Sequence, residues 1–330
     1  MMKSIVTIDT GTTNTRAVLW QNNQVIAKDF EPVGVRETSI TGSKQKLKKA
    51  VKQAITTVLE NGKIKDHSQV IAIASGMITS ELGLAEIPHL VAPVSIVDLS
   101  KHLVKKNIPD VFDQPIWFIP GVKNFVNNLT SENITEMDVM RGEEVEAFGA
   151  LKWLNVKGPC VLILPGSHTK IIKVDDQQRI SGSLTSMTGE LIELLTKNSI
   201  LAETVEEDFT DSLDETALKI GARSCSEKGL GQAAFSVRLL GMFTNYTRNQ
   251  LANYLLGTVL ENDIQAIKNA TSFTVGKDDS FVILGKQSLR QALKVLLENE
   301  PELNGHIVTR DLPELAGKGA LAVAKVSGID

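Results

Sequence analysis

The chain has 330 residues and a formal net charge of −4, long enough for two domains of ordinary size with a core each. Hydrophobic residues make up 42% and charged residues 22%, the composition of a water-soluble globular protein. The charge is not gathered into a basic block, which excludes a nucleic-acid or anionic-membrane surface. No apolar run reaches membrane-spanning length, no apolar signal segment precedes the first predicted strand, and Cys160 and Cys225 stand in no metal spacing; together these predict a cytoplasmic protein with no membrane partner.

Residues 5–20 read IVTIDTGTTNTRAVLW, an apolar run ending at Asp9, small hydroxylated residues around one glycine, then a second β-prone run. This predicts two antiparallel strands joined by a tight turn rich in backbone N–H and hydroxyl donors. Gly11 lets the backbone approach a phosphate, and Thr12, Thr13, Asn14 and Thr15 supply donors. Asp9, at a strand end, is placed for a hydrated Mg²⁺, which takes one or two carboxylates together with phosphate and water. A hydroxyl-rich hairpin with a structural Asp is the competing reading of this stretch taken alone.

After a turn at 21–24, residues 25–27 predict a third strand. Leu47, Ala50, Val51, Ala54, Ile55, Val58 and Leu59 make one face of a helix over 43–60, ended by Asn61-Gly62. Residues 70–74 predict a buried strand, and 76–94 a shaped loop punctuated by Gly83, Pro88 and Pro93. That loop either packs on the sheet or walls a substrate. A strand over 115–121 leads to Lys123 and Asn124, which are either surface residues or a grip on an anionic, hydroxylated ligand.

Residues 137–154, MDVMRGEEVEAFGALKWL, hold the densest polar cluster. Gly142 opens a helix with Glu143, Glu144 and Glu146 in its first turn, where the helix dipole favours acids whatever their chemistry. Asp138 and Arg141 precede the helix and lack that reason. A boundary close after it divides the chain into domains at 1–155 and 156–330.

Residues 161–174, VLILPGSHTKIIKV, repeat the strand–turn–strand pattern. Gly166 falls on Gly11, Ser167 on Thr12 and, after a one-residue gap, Thr169-Lys170 on Thr15-Arg16. His168 lies inside the loop, as a phosphate contact or as a structural residue. Further on, the pattern predicts strands at 180–185, 281–285 and 307–308, and helices at 188–195, 213–227, 288–297 and 313–326. A long helical stretch over 230–267 is broken near 245–248. No G-x-x-x-x-G-K-[ST], H-E-x-x-H, C-x-x-C or G-x-S-x-G occurs, and the glycine pattern at 317–322 lies inside the terminal helix.

The two loops resemble the phosphate motifs of the actin, sugar kinase and Hsp70 superfamily, whose duplicated domains close over ATP. One departure is Leu164-Pro165, where an acid is expected before the second glycine. The resemblance implies an α/β fold of two ribonuclease H-like (actin-like ATPase) domains with a nucleotide cleft between them, the terminal helix free to pack back on the first domain. Seven stretches in order are similar to the 2-dehydro-3-deoxygalactonokinases: IDTGTTNTRA at 8–17, GM-x-x-S-x-x-G-x-x-E-x-P at 76–88, PGVKN at 120–124, DVMRGEE at 138–144, LPGSHTK at 164–170, MTGEL at 187–191 and FSVR at 235–238. Glu81, Leu82 and Leu84 depart from the Arg-Gln and Trp that members often carry in the first of these loops. Gly285-Lys286 stands where a glycine pair is usual on the adenosine side.

This resemblance implies transfer of the ATP γ-phosphoryl group, with Mg²⁺, to the C6 hydroxyl of 2-dehydro-3-deoxy-D-galactonate. Gly11, Thr12, Thr13, Asn14, Arg16, Gly166, Ser167, His168 and Thr169 would meet the phosphates, Gly285 the adenosine side, and Asp9 the metal through water. The base would be Asp138, Glu143 or Glu144. Ser80, Lys123, Asn124 and Arg141 would contact the sugar acid, Arg141 because a guanidinium pairs bidentately with carboxylate. The alternatives are a kinase of another sugar, sugar acid, amino sugar or pantothenate, and a non-enzymatic ATP-binding regulator. The expected partners are the small sugar acid and ATP, and a homodimer is compatible with the chain.

Overall fold

The computed structural model describes residues 4–303 and 305–329. The chain begins with β1 (Ser4–Thr10), β2 (Thr15–Gln21) and β3 (Gln24–Glu31), an antiparallel meander. The helices α1 (Arg36–Thr41) and α2 (Gln45–Asn61) then carry the chain across one face, and β4 (Val70–Gly76) returns parallel to β1. The seven apolar positions that predicted α2 are all buried, and all but Ala50 share a core with Val6, Ile8, Ala17 and Leu19. Each Leu, Val or Ile among them, taken fully out of water, contributes roughly 1.5–3 kcal/mol.

The remaining elements of this half are short: β5 (Leu90–Val91), α3 (Ile96–Lys101), β6 (Val104–Lys106), β7 (Ile116–Phe118), β8 (Val122–Lys123) and β9 (Val139–Met140), before α4 (Glu143–Trp153). They complete a six-stranded sheet of order β3-β2-β1-β4-β7-β6 and a separate three-stranded sheet β5-β8-β9. A two-residue strand, or a helix of six residues such as α1 and α3, is too short to show a hydrophobic period, so the pattern predicted none of these.

The second half repeats the plan with β10 (Cys160–Leu164), β11 (Thr169–Val174) and β12 (Ile180–Ser186). Five helices follow, α5 (Thr188–Lys197), α6 (Ala202–Val205), α7 (Glu215–Lys228), α8 (Leu230–Phe243) and α9 (Arg248–Lys268). The chain continues through β13 (Ser280–Ile283), α10 (Gln287–Glu298), β14 (Ile307–Thr309) and α11 (Leu315–Ser327). The sheet order is β12-β11-β10-β13-β14, with β10 antiparallel to β11 and parallel to β13, as β1 is to β2 and β4. The duplication read from two loops is thus a duplication of sheet topology. The predicted break near 245–248 falls between α8 and α9, where Thr247 and Gln250 form a capping box.

One core joins Ile5, Val18 and Trp20 of the first sheet to Leu162, Leu164 and Ile172 of the second, through Val145 and Phe148 of α4 and Leu321 and Val323 of α11. The two helices cross closely. A Cβ on Gly319 would stand 1.9 Å from the Val145 carbonyl oxygen, and one on Gly149 2.8 Å from that of Leu315. At the far edge the halves also touch through paired backbone hydrogen bonds between Val94 and Ile180 (2.9 and 2.8 Å). Among the described residues no helix is long and apolar enough to cross a membrane.

Candidate active site

The antiparallel register of β1 and β2 sets Asp9 opposite Arg16, whose guanidinium lies 3.5 Å from the carboxylate and 5.9 Å from the Phe30 ring centroid. Between them the Gly11 N–H donates to the Asn14 carbonyl (2.9 Å), closing the turn and leaving Thr12 and Thr13 exposed. The segment before α1 supports this loop from outside. Arg36 N–H donates to Thr12 O (2.9 Å), Thr15 Oγ1 donates to Val33 O (2.8 Å), and Gly34 lies so close that a Cβ would be 2.4 Å from Gly11 O. Nothing in the local pattern announced Gly34.

The second loop, between β10 and β11, exposes Gly166, Ser167 and His168 while Thr169 is buried. Its backing comes from the start of α5. Glu190 N–H donates to Ser167 O (3.0 Å), Glu190 Oε1 lies 3.1 Å from His168 Nε2, and a Cβ on Gly189 would stand 2.2 Å from Gly166 O. Gly285, at φ +94°, abuts Pro165 of the same loop. Leu164 is buried in the shared core, so an apolar side chain fills the place of the missing acid.

Two glycines bring the acidic helix to Asp9. Gly76 (φ +87°) ends β4 with its Cβ position 2.8 Å from Asp9 Oδ1, and Gly142 (φ +113°) has its Cβ position 3.3 Å from Gly76 Cα and 3.9 Å from Asp9 Oδ1. Both backbones lie where side chains other than glycine are strained. Glu143 Oε2 accepts the Arg141 N–H (3.1 Å), whereas Glu144 is fully buried with both oxygens on the Gly142 N–H (2.8 and 3.0 Å). Glu146 lines a cavity of about 160 Å³ with Thr7, Asp9, Arg16 and Glu314. The sequence offered a dipole reason for Glu146, but its i, i+3 spacing from Glu143 is the signal that both face one side.

Crowding shifts these acids upward. Burial raises Asp9 to about 6, with Arg16 opposing and Glu143 adding. Burial together with Asp9 and Glu143 takes Glu146 to about 8. Burial and Glu143 hold Glu144 well above the usual carboxylate range. Among the described residues no three His, Cys, Asp or Glu are grouped to hold a metal by themselves. A single carboxylate at Asp9, with bare glycine backbone beside Oδ1, fits a hydrated Mg²⁺ that shares its shell with phosphate.

Several residues that look free in sequence are engaged. Arg141 donates from Nη1 to Thr79 Oγ1 (2.8 Å) and from Nη2 to Ile87 O (2.9 Å), pinning the 76–94 loop. Asn124, 4% exposed, accepts the Ser183 N–H (2.9 Å) and donates to Glu136 O and Ser183 O (both 2.8 Å). Asp138 accepts from Lys170 Nζ (3.1 Å), Ser183 Oγ (2.5 Å) and Thr185 Oγ1 (2.7 Å). Ser80 Oγ donates to Met77 O (2.7 Å), and Leu82 and Leu84 pack on the first sheet's core while Glu81 is exposed. Lys123 is half-buried in β8, and among the described residues its side-chain ammonium makes no hydrogen bond or ion pair. Its neighbour His89 is driven down to about 4 by burial, Arg141 and Lys123, and is neutral at physiological pH.

Comparison with known proteins places this geometry. The curated 2-dehydro-3-deoxygalactonokinase of Escherichia coli is 27% identical over 82% of this chain and 82% of its own. The probable 2-dehydro-3-deoxygalactonokinase DgoK1 of Rhizobium meliloti is 27% identical over 96% of each. Among solved structures, a putative 2-dehydro-3-deoxygalactonokinase protein from Sinorhizobium meliloti superposes with TM-score 0.76 at 24% identity, covering 97% of this chain and 98% of its own. Component A of (R)-2-hydroxyglutaryl-CoA dehydratase from Acidaminococcus fermentans follows at 0.50 and 15%, covering 98% and 96%. These likenesses go with the duplicated sheets in an actin-like ATPase fold. The model of the 2-keto-3-deoxy-galactonokinase family matches residues 9–311, nearly the whole length, and the chain belongs to that family.

Proposed function

We propose that this chain transfers the γ-phosphoryl group of ATP to the C6 hydroxyl of 2-dehydro-3-deoxy-D-galactonate. The observation that carries the reading is the junction of Asp9, Gly76 and Gly142, which delivers Glu143 to the first of two hydroxyl-rich loops on duplicated sheets. Phosphoryl transfer asks a protein mostly for positioning and charge stabilisation. Gly11, Thr12, Thr13 and Asn14 on one side, with Gly166, Ser167 and His168 on the other, offer backbone and hydroxyl donors to the phosphates. Asp9 would hold Mg²⁺, which when bound neutralises charge on the transferring group.

Of the three candidate bases, Glu143 suits the role best. Asp138 has its oxygens occupied by Lys170, Ser183 and Thr185, and Glu144 is shut away from any ligand. Glu143 would take the proton from the C6 hydroxyl as its oxygen bonds to the γ-phosphorus and the bond to ADP breaks. Since Arg141 and Asn124 are spent as struts, Lys123 is the cation left to meet the sugar-acid carboxylate, and His89 beside it is a neutral polar group. The residues 1–155 and 156–330 form, in this reading, the two domains that flank the nucleotide.

ADP release from Mg-ATP, with and without 2-dehydro-3-deoxygalactonate and with its gluconate epimer in parallel, tests the proposal. Acceptor-dependent release with the galactonate supports it. Release with another acid only would keep the kinase and replace the substrate, and the packing of Leu82 and Leu84 makes the 76–94 loop the place to look.

A further inference from the structure

Asp263 lies on α9 and is 1% exposed, in a helix that otherwise buries Leu260, Ile264 and Ile267 in the second half's core. A carboxylate so placed is costly unless its oxygens are satisfied. Among the described residues no cation pairs with it. Its partners are hydroxyls: Thr188 Oγ1 donates at 2.6 and 2.8 Å to the two oxygens, Ser186 Oγ donates to Oδ1, and the Thr169 hydroxyl at the end of the second loop interacts with it as well. A carboxylate is an acceptor only, so it draws these hydroxyls toward itself and fixes their orientation.

Ser186 and Thr188 frame the second loop. Ser186 is the ladder partner of Thr169 in the β11–β12 register, and Thr188 is the first residue of α5. Next to it, Gly189 abuts Gly166, and Glu190 N–H donates to Ser167 O (3.0 Å). One buried side chain, reaching in from a distant helix, therefore holds both ends of the turn that backs Gly166 and Ser167.

We infer that Asp263 is a positioning residue for the phosphate-binding loop of the second sheet, setting nucleotide affinity without touching the nucleotide. The inference rests on the reading of that loop as a phosphate site. The test compares wild type with Asp263→Asn, Thr188→Val, Thr188→Ser and the Asp263→Asn/Thr188→Val double variant. The readouts are KM for ATP and for the sugar acid, the calorimetric Kd of a non-hydrolysable ATP analogue with Mg²⁺, and the melting temperature.

Loss of hydrogen bonds to a buried charge should raise KM for ATP and the analogue Kd by about tenfold in Asp263→Asn and in Thr188→Val. KM for the sugar acid should stay within about twofold. Thr188→Ser should behave as wild type, and the double variant should be little worse than either single change, because both remove one network. Equal rises in both KM values, or an unchanged Kd, would overturn the inference, and if Asp263→Asn does not fold then Thr188→Val decides it. A wild type that binds no nucleotide would instead remove the loop reading and this inference with it.

Discussion

Asp138 and Lys170 meet at 3.1 Å with 12% and 4% of their side chains exposed, one from the segment entering α4 and the other from β11. By ladder register Lys170 sits opposite Leu164, as Arg16 sits opposite Asp9. The second loop has no acid of its own, and the cation that would face it is satisfied from the other half of the molecule. Removing one partner of a buried pair leaves an uncompensated charge, which costs about 3–5 kcal/mol. Asp138→Asn and Lys170→Met should each lower the melting temperature by several degrees, and the double variant by less than the summed losses. A wild-type melting temperature with lost turnover in Asp138→Asn would instead point to Asp138 as the base.

Glu143→Gln should cut turnover by about 10²–10⁴ while the ATP-analogue Kd stays near wild type. Glu144→Gln should leave turnover almost unchanged, since burial already favours the neutral form of that side chain. Full turnover in Glu143→Gln would remove it from the mechanism.

Gly142→Ala tests the junction itself. A residue with a Cβ at φ +113°, its methyl carbon 3.3 Å from Gly76 Cα, costs on the order of 1–3 kcal/mol in backbone strain and displaces Glu143. Both melting temperature and turnover should fall. Retained turnover would show that the placement of Glu143 tolerates movement.

Lys123→Met should raise KM for the sugar acid by about tenfold or more, a loss of about 1.4 kcal/mol, with KM for ATP unchanged. Should both constants be unaltered, the carboxylate is met elsewhere.

The neutral His89 makes stability depend on acid pH. Its folded value of about 4 lies below the ordinary 6.5, so between those values the unfolded chain binds more protons than the folded one. Its contribution is therefore complete above about 6.5 and is lost as pH falls toward 4. His89→Gln should flatten the fall in melting temperature across that window and change little at pH 8. Parallel curves for the two proteins would show that His89 is not the group responsible.

The loops and long elements were legible because their signals are local. A glycine among hydroxyls after a buried strand occurs twice, and the α2 face repeats at helical spacing. The acidic cluster was legible as a cluster, but the roles inside it were not. Glu143 and Glu144 are adjacent in sequence and nearly opposite in environment, and that difference is set by the direction of the first turn of α4 against Gly76. Arg141 and Asn124 read as ligand contacts because their partners lie 62, 54 and 59 residues away, at Thr79, Ile87 and Ser183. Asp263 was hidden for the same reason, as an acid in a largely buried helix whose hydroxyl partners are on other elements.

The close crossing of α4 and α11 also bears on how the molecule comes into being. The helix that carries Glu143 buries Val145 and Phe148 against a helix made only after the entire second sheet. When residues 1–155 have left the ribosome, that apolar flank of α4 is therefore still uncovered, although folding commonly proceeds as the chain emerges. A fragment ending after α4 should accordingly be recovered only when residues 156–330, which carry α11, are supplied alongside it.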